Sequence, residues 1–473
     1  MQNSWKDYLH AGYRQVYDDN TINIQEGKQV LFTKEDLRKL VIPLIIEQLL
    51  AVGVGMIDTI MISSVGEAAV SGVSLVDAVN ILLINIFSAI ATGGAVVAGH
   101  FLGSKDEDGA GRTAGQLVLF SGVISVVIAV LFLLFHELIL TRVFGQIEPA
   151  VYQSAKIYLI ITTLSFPALA VYNGCAALFR AMGNSRITMW IALLMNLINL
   201  IGNSILIYGC SMGVSGAAIA TLVARCIAAV IIVRLLMNPK WQIHLTLKSM
   251  LHFERGIINK ILYIGIPNGL ENSLFQLGKI IVLSLVSTFG TYAIAANAIS
   301  NTLATFQTLP GQAINLAILA VAAKCVGAGE YGQTRHYTQL LMKWIYGMMA
   351  VVSMLFIIGV PFIVQWFNLS DEAAQATIQI VRYHGVYAMI IWPLSFSLPN
   401  TLRAANDVRY TMVVAIISMG ICRIGLSYIL GAYFHLGVIG IWIAMTIDWT
   451  IRAIFFVLRY LGTKWTKLYQ PEG

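Results

Sequence analysis

Apolar residues along this 473-residue chain come in long, nearly unbroken blocks separated by short polar stretches. Window reading predicts about twelve spans, near 41–63, 70–101, 114–136, 150–173, 188–208, 215–237, 261–288, 293–324, 338–363, 374–399, 410–431 and 437–460. Blocks of about 20 apolar residues are the length of a helix crossing a bilayer. A membrane barrel would instead show segments of about 10 residues with alternating character. The pattern therefore predicts an all-α integral membrane protein.

The pattern also repeats. Ile42-Pro43 recurs as Ile266-Pro267, Glu47 as Glu271, Gly66 as Gly290, Gly103 as Gly327, Gly213 as Gly437 and Gly216 as Gly440, each 224 residues on. Arg180 and Arg403, and Arg186 and Arg409, are 223 apart. Such a constant offset marks a duplication. Six spans per half is an even number, so the halves lie parallel about a pseudo-two-fold axis along the membrane normal. The expected organisation is an N-terminal segment (1–40), an N-lobe (41–237), a linker (238–260), a C-lobe (261–460) and a tail (461–473). Trp241, His244, Leu245, Leu247, Leu251 and Phe253 among basic residues point to an interfacial linker. Trp5, Leu9, Tyr13 and Val16 have the spacing of the apolar edge of a surface helix, and Thr33 with Asp36 that of a capping box.

Composition agrees. Hydrophobic residues are 58% and charged residues 11%, with mean hydropathy +0.77, whereas soluble domains carry about 25% charged residues. The net charge of +7 is explained by placement, without a nucleic-acid partner. Lys105, Arg112, Arg180, Arg186, Lys240, Lys248, Arg255, Lys260, Lys324, Arg335, Arg403 and Arg409 fall in one set of loops, and Lys34, Arg38, Lys39, Lys464 and Lys467 in the tails. The alternate loops are nearly bare apart from Arg142. By the positive-inside rule both termini are cytoplasmic. No cleavable signal precedes the first span. The five cysteines have no metal or disulfide spacing, so neither a metal nor a cofactor is expected.

Several segments resemble the multidrug and toxic compound extrusion (MATE) transporters: IPLIIEQLLAVGVGMIDTIMISSVG (42–66), ATGGAVVAGHFLGSKDE (91–107), LFRAMGNSRITMWIALLMNLINLIGNSILIYG (178–209), GVSGAAIATLVAR (213–225) and LRAANDVRYTM (402–412). The resemblance runs from about 40 to 460 and is greatest to the prokaryotic DinF-like branch. It implies two six-helix lobes across a central cavity. It also implies export of amphipathic organic compounds coupled to protons or sodium, in the plasma membrane; the expected protein is a monomer.

Polar residues inside the spans are the functional candidates. A charge at the centre of a membrane helix costs about 2.5–3.5 kcal/mol on insertion scales. Asp58 lies 11 residues after Glu47, on one helical face. Asn196, Asn199 and Asn203 share a face of span five, with Asn199 and Asn203 near the depth of Asp58. A carboxylate among amides suits a reversible proton or sodium site, because amides hydrogen-bond either form. The resemblance implies such a site in the N-lobe. Asp58 and Asn199 match it, while Asn203 stands where a second acid is expected. Glu47, Asp77, Glu271, Gln276, Lys279, Asn301 and Gln312 are candidates for the substrate cavity, Asn301 and Gln312 lying on a polar stripe of span eight. Glu47 and Glu271 have helix capping as their other reading. Asp448 and Arg452, at i and i+4, are expected to pair. Lys279 has no local partner, and a cation facing the cavity favours anionic or zwitterionic substrates.

The leading expectation is thus a cation-coupled exporter working by alternating access, with Gly93, Gly94, Gly99 and Pro310 as bend points. A flippase for a lipid-linked or anionic amphipathic substrate is the alternative. No HExxH, GxSxG or histidine cluster appears, so an enzyme is not expected.

Overall fold

A computed structural model describes residues 30–143, 148–367 and 369–469. It divides into two compact units, Met1–Arg38 and Lys39–Gly473. In the first, Thr33 and Asp36 form the capping box: Asp36 N–H donates to Thr33 Oγ1 at 3.1 Å, and Thr33 N–H to Asp36 Oδ2 at 3.0 Å. Trp5, Leu9, Tyr13 and Val16 lie outside the described residues.

Twelve helical elements follow: α1 (Lys34–Ser63), α2 (Glu67–Gly103), α3 (Glu107–Leu134), α4 in two pieces (Pro149–Leu164 and Phe166–Ala181), α5 (Ser185–Gly209), α6 (Gly213–Leu236), α7 (Arg255–Ser287), α8 (Thr291–Gly327), α9 (Tyr331–Phe367), α10 (Asp371–Ile390, continuing through Pro393–Ser397 and Leu398–Ala404), α11 (Val408–Tyr433) and α12 (Gly437–Leu461). Ten of these are long and apolar enough to cross a membrane, and α4 is an eleventh, bent by 48°. Only α10 falls short among the described residues. Polar positions such as Arg382 and His384, and the π-turn at Pro393–Ser397, interrupt the span expected at 374–399. The exposed apolar faces mark the lipid side. Val127, Leu131 and Leu134 on α3 recur 224 residues on as Val351, Leu355 and Ile358 on α9, all exposed.

The backbone repeats the duplication. The ten positive-φ residues among those described form five pairs, 66/290, 105/329, 211/435 and 213/437 at an offset of 224, and 183/406 at 223. The π-helical ends of α5 (Ser204–Gly209) and α11 (Tyr428–Tyr433) correspond as well. α2 and α8 cross where equivalent residues meet. A Cβ on Gly103 would lie 2.1 Å from Lys324 O, one on Gly327 2.1 Å from His100 O, and one on Gly99 2.8 Å from Cβ of its own repeat partner, Ala323. The pseudo-two-fold axis therefore passes between these helices. Gly93 and Gly94 likewise pack closely, against Ile261 O and the Leu117 side chain, inside an unbroken α2. α8 is also continuous through Pro310. These residues are contact points here, with no break in either helix. Gly103→Ala and Gly327→Ala are each expected to cost about 1–3 kcal/mol by overpacking, read as a lower thermal midpoint in detergent. Gly347→Ala, with open space at its Cβ, is expected to leave it unchanged.

The linker packs on protein. Ile243 and Leu245 are buried, and Trp241 stacks edge-on against Phe179. Gln116 of α3 donates to Ser249 O and His252 O and accepts from Glu254 N–H. Phe253 is exposed.

Candidate functional site: two cavities of opposite charge

A cavity of about 280 Å³ opens within the N-lobe, between α1, α2, α4, α5 and α6. Asn203 Nδ2 donates to Asp58 Oδ1 at 2.8 Å. Asn199 is beside it. With its amide nitrogen toward Asp58, it donates to both carboxylate oxygens at 2.9 and 3.0 Å and accepts from Thr221 Oγ1 at 3.0 Å. With its amide oxygen toward Asp58, the same geometry receives a proton held by the acid. Amide orientation is chosen by hydrogen-bond logic, so Asn199 satisfies the ionised acid in one orientation and the protonated acid in the other. The structure thus brings Asp58, Asn199 and Asn203 together.

It also brings Asp77 here, against the expectation that Asp77 faces the same cavity as Asn301. Asp77 and Asp58 are close enough to repel one another. Asn80 Nδ2 donates to Asp77 at 3.3 Å, Tyr158 faces it, and Arg225 is its electrostatic partner. The reason is the hairpin at Gly66. Asp58 is five residues before it ends α1 and Asp77 ten after α2 begins, which sets both on the same side of the membrane. This signal was present in the sequence. A second acid therefore exists, supplied by α2 in place of α5.

Glu47 and Glu271 are in equivalent ion pairs. Arg180 Nη1 lies 3.4 Å from Glu47, which also accepts from Thr188 Oγ1 at 2.8 Å. Arg403 Nη2 donates to both Glu271 oxygens at 2.8 Å. The partners are the arginines that the 223-residue offset had already matched. Arg180 and Arg403 were counted as loop cations; they instead sit inside the bundle, neutralised. The capping reading of the two glutamates gives way to buried pairing.

The second cavity, about 430 Å³, belongs mainly to the C-lobe. Glu271, Lys279, Asn301 and Gln312 line it, as does Asn315 of the polar stripe; Gln276 and Glu47 do not. Gln312 Nε2 donates to Thr308 Oγ1 at 3.1 Å and Asn301 Nδ2 to Asn297 O at 2.8 Å. Asp448 and Arg452 are neighbours at 3.6 Å, as the i,i+4 spacing implied, but Ser418 takes the carboxylate's hydrogen bond. Arg423 joins them at 3.9 Å.

The MatE family pattern matches residues 43–205 and 267–429, two blocks at the same 224-residue offset. The chain is 28% identical to "Uncharacterized transporter YisQ" of Bacillus subtilis, over 93% of this chain and 98% of that one. It is 24% identical to "Probable multidrug resistance protein NorM" of Thermotoga maritima, over 94% and 96%. Its fold superposes on a solved structure described as the outward-facing conformation of a multidrug resistance MATE family transporter, with a TM-score of 0.84, 20% identity and coverage of 90% and 94%. On the family match over both halves, the chain belongs to the MatE family of membrane transporters.

Proposed function

We propose that this protein exports amphipathic organic compounds in exchange for protons, by alternating access, as a monomer in the plasma membrane with both termini in the cytoplasm. The observation that carries the reading is the Asp58 site. One carboxylate in a membrane helix is held by two amides, one of which suits either protonation state. A proton is favoured over sodium because the groups aimed at Asp58 include N–H donors, and the same cavity contains the Arg225 guanidinium. Sodium sites need several oxygen ligands and no neighbouring fixed cation. Loss or gain of the proton changes the charge of α1 relative to α2 and α5, which biases the two access states. Export is supported by the relatives named as multidrug resistance proteins. The transporter names of the relatives also support a non-enzymatic role.

In proteoliposomes, an imposed pH difference is expected to drive dye or drug movement, and an equal sodium difference at constant pH is not. Movement driven by sodium alone would overturn the proton assignment.

A further inference from the structure

We propose that the C-lobe cavity binds the anionic head of an amphipathic organic anion, a carboxylate, sulfonate or phosphate carried on an aromatic or aliphatic body. The proposal deepens the export reading by naming a substrate class, and it rests on that reading for transport but not for binding.

The first observation is uncompensated charge. Lys279, Arg423 and Arg452 all line the cavity. They gather on one ring: their cationic groups lie 5.7, 4.7 and 5.8 Å from the centroid of Phe275. Glu271, on the same wall, is held by Arg403. Asp448 is then the one carboxylate near the cluster among the described residues. It lies 3.9 Å from Arg423 and 3.6 Å from Arg452, beyond hydrogen-bond distance, and its Oδ1 accepts from Ser418. Three cations against one anion leave a surplus of two positive charges.

The second observation is unsatisfied donors. Arg423 and Arg452 are 7% and 2% exposed, and Arg423 Nη1 and Arg452 Nε have no hydrogen-bond partner. Buried donors are nearly always satisfied, and guanidinium groups match oxyanions by charge-assisted hydrogen bonds. Phe275, Phe396, Trp392 and Trp449 supply an apolar wall for the body of the ligand.

The third observation comes from the duplication. Position 282, the repeat partner of Asp58, is Val282, and Arg423 stands 224 residues on from Asn199. Between Arg409 and Tyr428 the repeat offset moves from 223 to 224, so α11 holds one residue more than α5. The π-turn Met419–Gly425, which the matching stretch of α5 lacks, accommodates it. π-bulges form where a helix takes in an extra residue and are frequent at functional sites. This turn carries Arg423 on the cavity wall. The same scaffold thus presents an acid in one lobe and bases in the other.

The test is equilibrium binding to the purified full-length protein. The probes are naphthalene-2-sulfonate, the matched naphthyl-trimethylammonium cation and dihexanoyl phosphatidic acid. The sulfonate is expected to bind at least about tenfold more tightly than the cation. Lys279→Gln and Arg423→Gln are each expected to weaken sulfonate binding about tenfold and leave cation binding unchanged. Lys279 forms no ion pair, so Lys279→Gln keeps the test open should Arg423→Gln unfold, as a thermal midpoint would reveal. Equal or tighter binding of the cation, or sulfonate binding unaffected by both variants, would overturn the proposal. Preference for phosphatidic acid over the sulfonate would overturn the soluble-anion form in favour of a lipid headgroup. Binding needs no gradient, so failure of proton coupling would leave this result untouched.

Discussion

Proteoliposomes containing Asp58→Asn are expected to lose gradient-driven transport while keeping substrate exchange across the membrane. The asparagine preserves size and hydrogen bonding to Asn199 and Asn203 but holds no exchangeable charge. Both access states remain reachable, so labelled substrate still equilibrates against unlabelled substrate. What disappears is the bias that a proton gradient imposes. Coupling free energies of about 1–3 kcal/mol correspond to changes of roughly 5–150-fold, and the gradient-driven rate is expected to fall within that span. Asp77→Asn is the informative comparison, since Asp77 shares the cavity and repels Asp58. It retains Asp58 as the proton carrier, so gradient dependence is expected to survive with an altered pH profile. Loss of exchange in Asp58→Asn, in a variant that remains folded, would show that the residue acts in packing and not in coupling.

The second large effect concerns stability. Arg403→Ala is expected to cost about 3–5 kcal/mol, because it leaves Glu271 as an uncompensated buried charge. Glu271 is 8% exposed, and Arg403 holds both of its oxygens at 2.8 Å. Arg180→Ala is expected to cost less. Its contact with Glu47 is longer, at 3.4 Å, and Thr188 still donates to that carboxylate. Replacing both members of the C-lobe pair, Glu271→Leu with Arg403→Met, is expected to recover most of the loss, since apolar residues of similar volume often replace buried ion pairs without penalty. Thermal unfolding in detergent reads all three. An Arg403→Ala midpoint equal to wild type would contradict the pairing.

The architecture was legible because it follows from strong, local signals. Apolar runs of bilayer length located the spans, and the 224-residue offset exposed the duplication before any coordinates. The offset also held the two ion pairs in plain view, since Glu47/Glu271 and Arg180/Arg403 were matched as repeats without being joined to each other. They were separated because arginines beside predicted span ends resemble loop cations, and only tertiary packing shows that they turn inward. Asp58, Asn199 and Asn203 were brought to one depth by helical geometry alone. Asp77 was assigned to the wrong cavity, because its repeat partner Asn301 faces the C-lobe cavity and symmetry was extended to it. The two lobes share a backbone but not a lining, and a side chain's surroundings depend on neighbouring helices that periodicity does not specify. Arg423 was noted as a cation without a place, because a one-residue insertion in α11 changes which face of the helix it occupies. The glycines of α2 were read as hinges from their conformational freedom. In the structure they allow close approach, which needs a partner helix to be recognised.

Simultaneous recording of proton and substrate flux in proteoliposomes tests the central claim most directly. For wild type, the account predicts that protons move opposite to the substrate, in fixed proportion and independently of sodium, and that Asp58→Asn moves substrate by exchange with no proton flux. Substrate export by wild type without proton movement, or undiminished proton flux through Asp58→Asn, would contradict it.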